Sequence, residues 1–227
     1  DAIEIVVGQG AKPGTGGLLM GVKVADNIAE MRELPLGIDQ RSPTRHPDWL
    51  GPDDLSIKIE QLREATDWRL PISVKLGACR VADDVKLAAK AGADSIVIDS
   101  MVAGTGASAE ILLDHSGIPT VPAIVQAREA LRELGLYGQV SLIASGGIRN
   151  GADVAKALAL GADAVAIGTA ALIALNCNKE IPGTNFEEEM GVQPGFCNQC
   201  HTGRCPVGIA TQDPALEARL DPDEGGE

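Results

Sequence analysis

Three cysteines near the carboxyl end carry the most distinctive chemistry in the chain, in the run Cys197-Asn198-Gln199-Cys200-His201-Thr202-Gly203-Arg204-Cys205-Pro206. Thiolates at C-x2-C followed by C-x4-C-P have the pattern of iron–sulfur ligands, where proline after the last cysteine is common. Zinc is the competing metal, with His201 or Cys177 as a fourth ligand, and spacing alone does not separate the two. Cys79 lies far from this group and reads as a plain thiol. His46, His115 and His201 share no spacing that would gather them on one metal.

A second set of residues could hold an anion. Ser145-Gly146-Gly147-Ile148-Arg149 and Gly168-Thr169 each follow an apolar run and precede a helical one. Backbone N–H groups at such a turn bind phosphate, and glycine lets the phosphate approach the chain. One Gly-Gly alone would be a tight turn; two glycine turns after successive strands point to a phosphate. Gly104-Thr105-Gly106 belongs to a third loop, short and hydroxyl-bearing, able to wrap the edge of a planar ligand. Lys75 is the single charge in Ile72-Ser73-Val74-Lys75-Leu76. A lysine in so apolar a strand needs an anionic partner. It is expected at a polar cavity, where it would stabilise negative charge on a reduced cofactor or a substrate carboxylate. Asp53-Asp54 and Glu187-Glu188-Glu189 read as solvated faces.

The elements that must position these groups recur with a beat. Strands are expected over residues 3–7, 72–76, 95–99, 140–144 and 164–168, and helices over 24–31, 52–66, 82–91, 122–134, 152–160 and 169–175, with a long loop over 34–52. Apolar strands each followed by a helix belong to a parallel sheet covered by helices. Ala91-Gly92-Ala93-Asp94 and Leu160-Gly161-Ala162-Asp163 mark the same helix-to-strand turn twice. These strands are fewer than the eight of a closed barrel, and the chain opens at Asp1 almost inside a strand. The expected fold is therefore α/β, the later strands of a (β/α)8 TIM barrel, with a complete open doubly wound sheet as the alternative. The expected domains are residues 1–176 for the barrel part, 177–212 for a cluster segment and 213–227 for an acidic, frayed tail.

With 227 residues, 44% hydrophobic and 22% charged, the chain suits one globular domain. Aromatics are only 2%, so Ala, Val, Ile and Leu must build the core. A net charge of −13 argues against nucleic acid or an anionic membrane as a partner. The longest apolar run, over 164–175, is shorter than the ~20 residues of a membrane span. No secretory signal is visible, and an odd count of 5 cysteines fits a reduced, cytoplasmic setting.

Several stretches now converge. Gly8-Gln9-Gly10-Ala11-Lys12-Pro13-Gly14, Ile72-Ser73-Val74-Lys75-Leu76, Gly104-Thr105-Gly106-Ala107-Ser108, Gly146-Gly147, Gly168-Thr169 and the ending from Cys200 to Gln212 resemble, in order, the FMN-binding barrel domain of the glutamate synthase family. The resemblance implies FMN at a barrel mouth beside a [3Fe–4S] cluster held by three cysteines. By position Cys177, Cys200 and Cys205 match those cysteines; Cys197 is additional, and four thiolates could hold [4Fe–4S]. Gly146, Gly147, Gly168 and Thr169 match the flavin phosphate loops, and Gly104, Thr105 and Gly106 another flavin loop. Lys75 matches the lysine that meets flavin and 2-oxo acid, with Gln9 and Lys12 completing the implied catalytic set. Stand-alone barrel subunits of this kind resemble those of N-methylglutamate synthases, which implies exchange of ammonia for methylamine on glutamate. The alternatives are amination of 2-oxoglutarate by ammonia, as in glutamate synthase itself, and a non-catalytic subunit whose cluster relays electrons. The implied partners are glutamate or 2-oxoglutarate, an amine, and amidotransferase-like and other glutamate synthase-like subunits.

Overall fold

In the computed structural model the β-branched runs form one all-parallel sheet: β1 (Ile3–Val6), β2 (Ile72–Gly77), β3 (Ser95–Asp99), β4 (Ser141–Ser145) and β5 (Ala164–Ala166). Helices α1 (Pro52–Ala65), α2 (Val81–Lys90), α3 (Thr120–Glu133) and α4 (Gly151–Leu160) alternate with them. The structure describes residues 1–12, 14–106, 108–181 and 185–221; Pro13 and Ala107 of the quoted motifs, and the last six residues of the acidic tail, lie outside. The strands lie side by side in sequence order. A doubly wound sheet reverses its order at a switch point, so that alternative is excluded. Sequential order is what the wall of a (β/α)8 barrel has.

Alternation along the strands divides the sheet's two faces. Ile72, Val74, Leu76, Ile96, Ile98, Leu142 and Ala144 join one buried cluster with Leu55 and Ile59 of α1, Val81 and Val85 of α2, and Ile124, Ala127 and Leu131 of α3. Full burial of each large apolar side chain contributes about 1.5–3 kcal/mol. Each helix packs against the next in sequence order, as a single layer does. The intervening residues, Ser73, Lys75, Val97, Asp99, Ile143 and Ser145, project to the opposite face by the two-residue period. The strands are thus apolar on the helix side and mixed on the other.

The repeated helix-to-strand turn does the same work twice. Ile72 N–H donates to Asp94 Oδ2 and Leu142 N–H to Asp163 Oδ2, each at 2.7 Å. In return Asp94 N–H donates to Ile72 C=O and Asp163 N–H to Leu142 C=O. Gly92 and Gly161 take the left-handed conformations, φ +99° and +116°, that close the preceding helices. Arg63 of α1 reaches Gly92 C=O and Arg128 of α3 reaches Leu160 C=O, at 2.7 and 2.8 Å.

Two compact units divide the chain. The sheet and its four helices form the first, Asp1–Gly16, Pro43–Gly104 and Ser108–Gly168; the second takes residues 17–42, 105–107 and 169–227. The first unit ends at Gly168, and Gly17–Ser42 falls in the same unit as the cysteine-bearing segment. In the second unit, Leu18–Leu19 pairs antiparallel with Gln40–Arg41, and helices cover Asp26–Arg32, Thr169–Ala174, Phe186–Met190 and Pro214–Glu217.

Two expectations are corrected. Asp54 is not merely a solvated charge: its Oδ2 accepts from Leu50 N–H at 2.6 Å and Gly51 N–H at 3.0 Å, fixing the start of α1. The stretch from Pro214 is not frayed from its start. Asp213 caps its helix through Ala215 N–H, and Arg219 reaches Pro206 C=O at 3.1 Å. Among the described residues, no helix is long and apolar enough to cross a membrane.

Candidate functional site

Lys75 sits in β2 and Asp99 ends β3, on the face away from the helices. Their side chains, 23% and 6% exposed, approach to 3.7 Å between Nζ and Oδ2. The same Oδ2 accepts the N–H of Gly10 at 2.8 Å. Lys75 therefore has its anionic partner within the sheet, and Asp99 was missed because its role depends on Gly10, 89 residues away in sequence. Asp99 also anchors the first glycine loop. Gly10 has no room for a side chain, since a Cβ there would stand 1.9 Å from Ser100 C=O. Gln9 and Lys12 ride on this loop, both half-buried, with Lys12 N–H donating to Gln9 C=O at 3.3 Å.

The turn after β4 brings Gly146 and Gly147 into left-handed conformations, φ +106° and +70°. Gly146 N–H faces β5, where Ser145 pairs with Ala166; among the described residues, the N–H groups of Gly147 and Ile148 donate to no protein acceptor. Consecutive free amides at a strand's carboxyl end form an anion-binding concavity. The first amides of α4 do not contribute, because Asn150 Oδ1 accepts from Ala152 N–H and Asp153 N–H. A cavity of about 420 Å³ opens beside the turn, lined in part by Thr120, Arg149 and Lys156. Both cations pair with Asp153, and hydrogen bonding to Arg149 holds that carboxyl below its ordinary range. Gly168 differs from Gly146 and Gly147: its φ is not left-handed and a Cβ would meet nothing within 4 Å. Thr169 opens the helix Thr169–Ala174 of the second unit.

The loop expected to touch flavin divides between the units. Gly104, in the first, is crowded: a Cβ would lie 1.9 Å from Leu113 Cδ2, the movable end of that side chain, and 3.0 Å from Ala11 Cβ. Thr105 and Gly106 belong to the second unit, where a Cβ on Gly106 would stand 3.3 Å from Cys200 Sγ.

The cysteines gather within the second unit. Cys177 follows its helix between Asn176 and Asn178, both at φ +65°, a double left-handed turn. Asn178 Oδ1 then accepts Cys197 N–H at 2.8 Å, and Lys23 Nζ donates to Cys200 C=O at 3.0 Å. Cys205 is buried. Burial first, then the nearby Cys200, Cys205 and Cys197, push the Cys177 thiol up. Burial, Cys205 and Cys197 push Cys200 up, and Lys23 draws it part of the way back. Cys177 therefore lies within electrostatic range of the other three thiols. Among the described residues, no three Cys, His, Asp or Glu side chains converge at the spacing of a single metal ion. His201 is exposed.

Comparison with known proteins decides the lineage. The conserved region in glutamate synthase matches this chain across residues 1–227. The chain belongs to the glutamate synthase family. It is 56% identical over 229 residues to the glutamate synthase large subunit-like protein of Rhizobium meliloti (strain 1021), covering 100% of this chain and 51% of that protein. The archaeal glutamate synthase (NADPH) of Methanocaldococcus jannaschii is 47% identical over 225 residues, 99% of this chain and 41% of that one. This chain thus spans about half, or less, of the length of these relatives. A FabK variant structure from Thermotoga maritima gives a TM-score of 0.38 at 23% identity, covering 51% of this chain and 32% of that chain, too low to weigh in the fold.

For a glutamate synthase family chain, two groups can be tested for fit. A phosphate fits the Gly146–Ile148 turn, where the Gly147 and Ile148 amides lack acceptors and the glycines leave the backbone bare. A polynuclear iron–sulfur cluster fits the thiols of Cys177, Cys197, Cys200 and Cys205, which share one neighbourhood without converging on one point. Gly168 is a glycine for which the described chain offers no steric reason.

Proposed function

We propose that this chain forms the flavin- and cluster-binding part of an enzyme acting at the carbon–nitrogen bond of glutamate, converting glutamate and methylamine to N-methylglutamate and ammonia. The observation that carries the reading is the polar wall of Lys75, Asp99 and Ser145, running at the β4 end into the unpartnered amides of Gly147 and Ile148. Bound FMN would supply hydride acceptance and return, and a bound cluster one-electron exchange. Gly146, Gly147, Gly168 and Thr169 hold the flavin phosphate. Lys75, oriented by Asp99, holds a substrate carboxylate, and Gln9 and Lys12 close the same end from the loop that Asp99 anchors. Gly104 sets the course of the chain into the Thr105–Gly106 loop. Cys177, Cys197, Cys200 and Cys205 hold the cluster, as [4Fe–4S] if all four ligate and [3Fe–4S] if Cys177 or Cys197 does not.

The additional length of the relatives would supply the remaining barrel strands. Amidotransferase-like and other glutamate synthase-like subunits complete a cytoplasmic hetero-oligomer. Methylamine is taken from the resemblance to stand-alone barrel subunits; the 56% relative, named as glutamate synthase large subunit-like, names no amine. The second reading, amination of 2-oxoglutarate by ammonia, draws on the 47% relative named an archaeal glutamate synthase. The purified complex is assayed with glutamate and methylamine, and separately with 2-oxoglutarate, ammonia and a reductant, with products followed by mass spectrometry. N-methylglutamate in the first mixture is expected. Glutamate formed only in the second installs the alternative, and an iron-bearing but flavin-free complex inactive in both leaves an electron relay.

A further inference from the structure

The glycine turn after β4 is held from behind by two hydroxyls. Ser100, fully buried, follows β3, and Thr120 is the first residue of α3. Their oxygens lie 2.7 Å apart, and Thr120 Oγ1 donates to Gly146 C=O at 2.7 Å. A hydroxyl has one hydrogen to give. Since that of Thr120 goes to Gly146, Ser100 is the donor between the two, and the chain runs Ser100 to Thr120 to Gly146 C=O. The turn is seated on Ser100 itself: a Cβ on Gly146 would come within 2.3 Å of Ser100 Oγ.

The consequence lies on the other edge of the same peptide. No peptide bond among the described residues is cis, and in a trans peptide the C=O and the following N–H point in opposite directions. With Gly146 C=O held toward Thr120, the N–H of Gly147 projects the opposite way, where it meets no protein acceptor among the described residues. A hydrogen bond to the carbonyl also polarises the peptide and makes that N–H a stronger donor.

We infer that Ser100 and Thr120 are positioning residues for the flavin phosphate, fixing and polarising the Gly147 amide before the ligand arrives. The inference rests on the phosphate reading of the Gly146–Gly147 turn. Its test compares two ligands that differ only in the phosphate. The flavin-depleted full chain is titrated with FMN and with riboflavin, following flavin fluorescence. Wild-type protein should bind FMN more tightly than riboflavin; equal affinities would remove the phosphate reading itself. Thr120→Val keeps the shape and removes the hydroxyl. It should weaken FMN by about three- to tenfold, the value of one neutral hydrogen bond. Riboflavin affinity should not change, and Thr120→Ser should restore FMN binding. Ser100→Ala, which leaves the Thr120–Gly146 bond in place, should show the same selectivity with a smaller loss, and carries the test if Thr120→Val does not fold. Unchanged FMN affinity in these variants, or equal losses for FMN and riboflavin, overturns the inference and leaves a strut that only supports the fold.

Discussion

The Lys75–Asp99 pair can be measured by a double-mutant cycle. At 3.7 Å, with one side chain 23% exposed and the other 6%, the pair lies between surface and interior. Coulomb attraction at that separation is roughly 1–4 kcal/mol for permittivities from water down to a protein surface. The long contact and partial exposure of Lys75 place the coupling near the lower end, about 1–2 kcal/mol. Asp99 has a second task, accepting Gly10 N–H at 2.8 Å, and a hydrogen bond to a charged group is worth about 1.5–3 kcal/mol. Asp99→Asn keeps an acceptor for Gly10, whereas Asp99→Ala would lose both terms, so Asn isolates the charge. Lys75→Met, Asp99→Asn and the double variant are unfolded in urea at pH 7, followed by circular dichroism. Each single change should cost more than its share of the double. A coupling within about 0.3 kcal/mol of zero would show that Asp99 does not neutralise Lys75. In turnover, Lys75→Met should lose at least ~100-fold, the scale of one electrostatic stabiliser. Wild-type turnover would remove Lys75 from catalysis.

Gly168→Ala should leave the thermal midpoint of the flavin-free protein unchanged yet abolish flavin retention, because among the described residues a Cβ there meets nothing within 4 Å. Full flavin content would cancel the assignment. Gly146→Ala, with a Cβ 2.3 Å from Ser100 Oγ at φ +106°, should instead lower the midpoint whether or not flavin is present. Asp94→Ala and Asp163→Ala each remove the charged acceptor of a strand's first amides, and each should cost about 1.5–3 kcal/mol in urea unfolding; a loss in only one would deny the repeat its equivalence. Cys79 is exposed, but partial desolvation of its thiol, and secondarily Asp84, raise it. Iodoacetamide should therefore label Cys79 with a rate-against-pH midpoint above the ordinary thiol range, and Asp84→Asn should lower that midpoint only in part. An ordinary midpoint in the wild-type protein would contradict the desolvation argument.

The five strands and their helices were legible because each strand is a compact apolar run and each helix ends at a glycine or changes charge. Sequential order was not legible, since periodicity says nothing about which strand lies beside which. Asp99 was hidden for a related reason. Its partners are set by the register that puts Lys75 beside Val97 and by a loop from the far end of the chain. Lys75 was singled out as needing an anion, and the group it faces is a neighbouring carboxylate, Asp99. Gly104 and Gly106 looked alike in sequence; Leu113 crowds one, and Cys200 lies close to the other. The two-residue ladder at Leu18–Leu19 and the short helices Phe186–Met190 and Pro214–Glu217 are too short for a periodic signal. Ser100 and Thr120 gave none, because a hydroxyl that supports a backbone carbonyl has no spacing rule.

Asp94 and Asp163 fasten neighbouring strands where those strands begin, while the loops at Gly8, Gly77 and Gly146 leave from where strands finish. Framework and chemistry therefore occupy opposite rims of the same sheet. Mutations that lengthen, shorten or rewrite a loop on one rim leave the fastenings on the other untouched. A lineage built this way can change what it binds one loop at a time, without first passing through a chain that fails to fold.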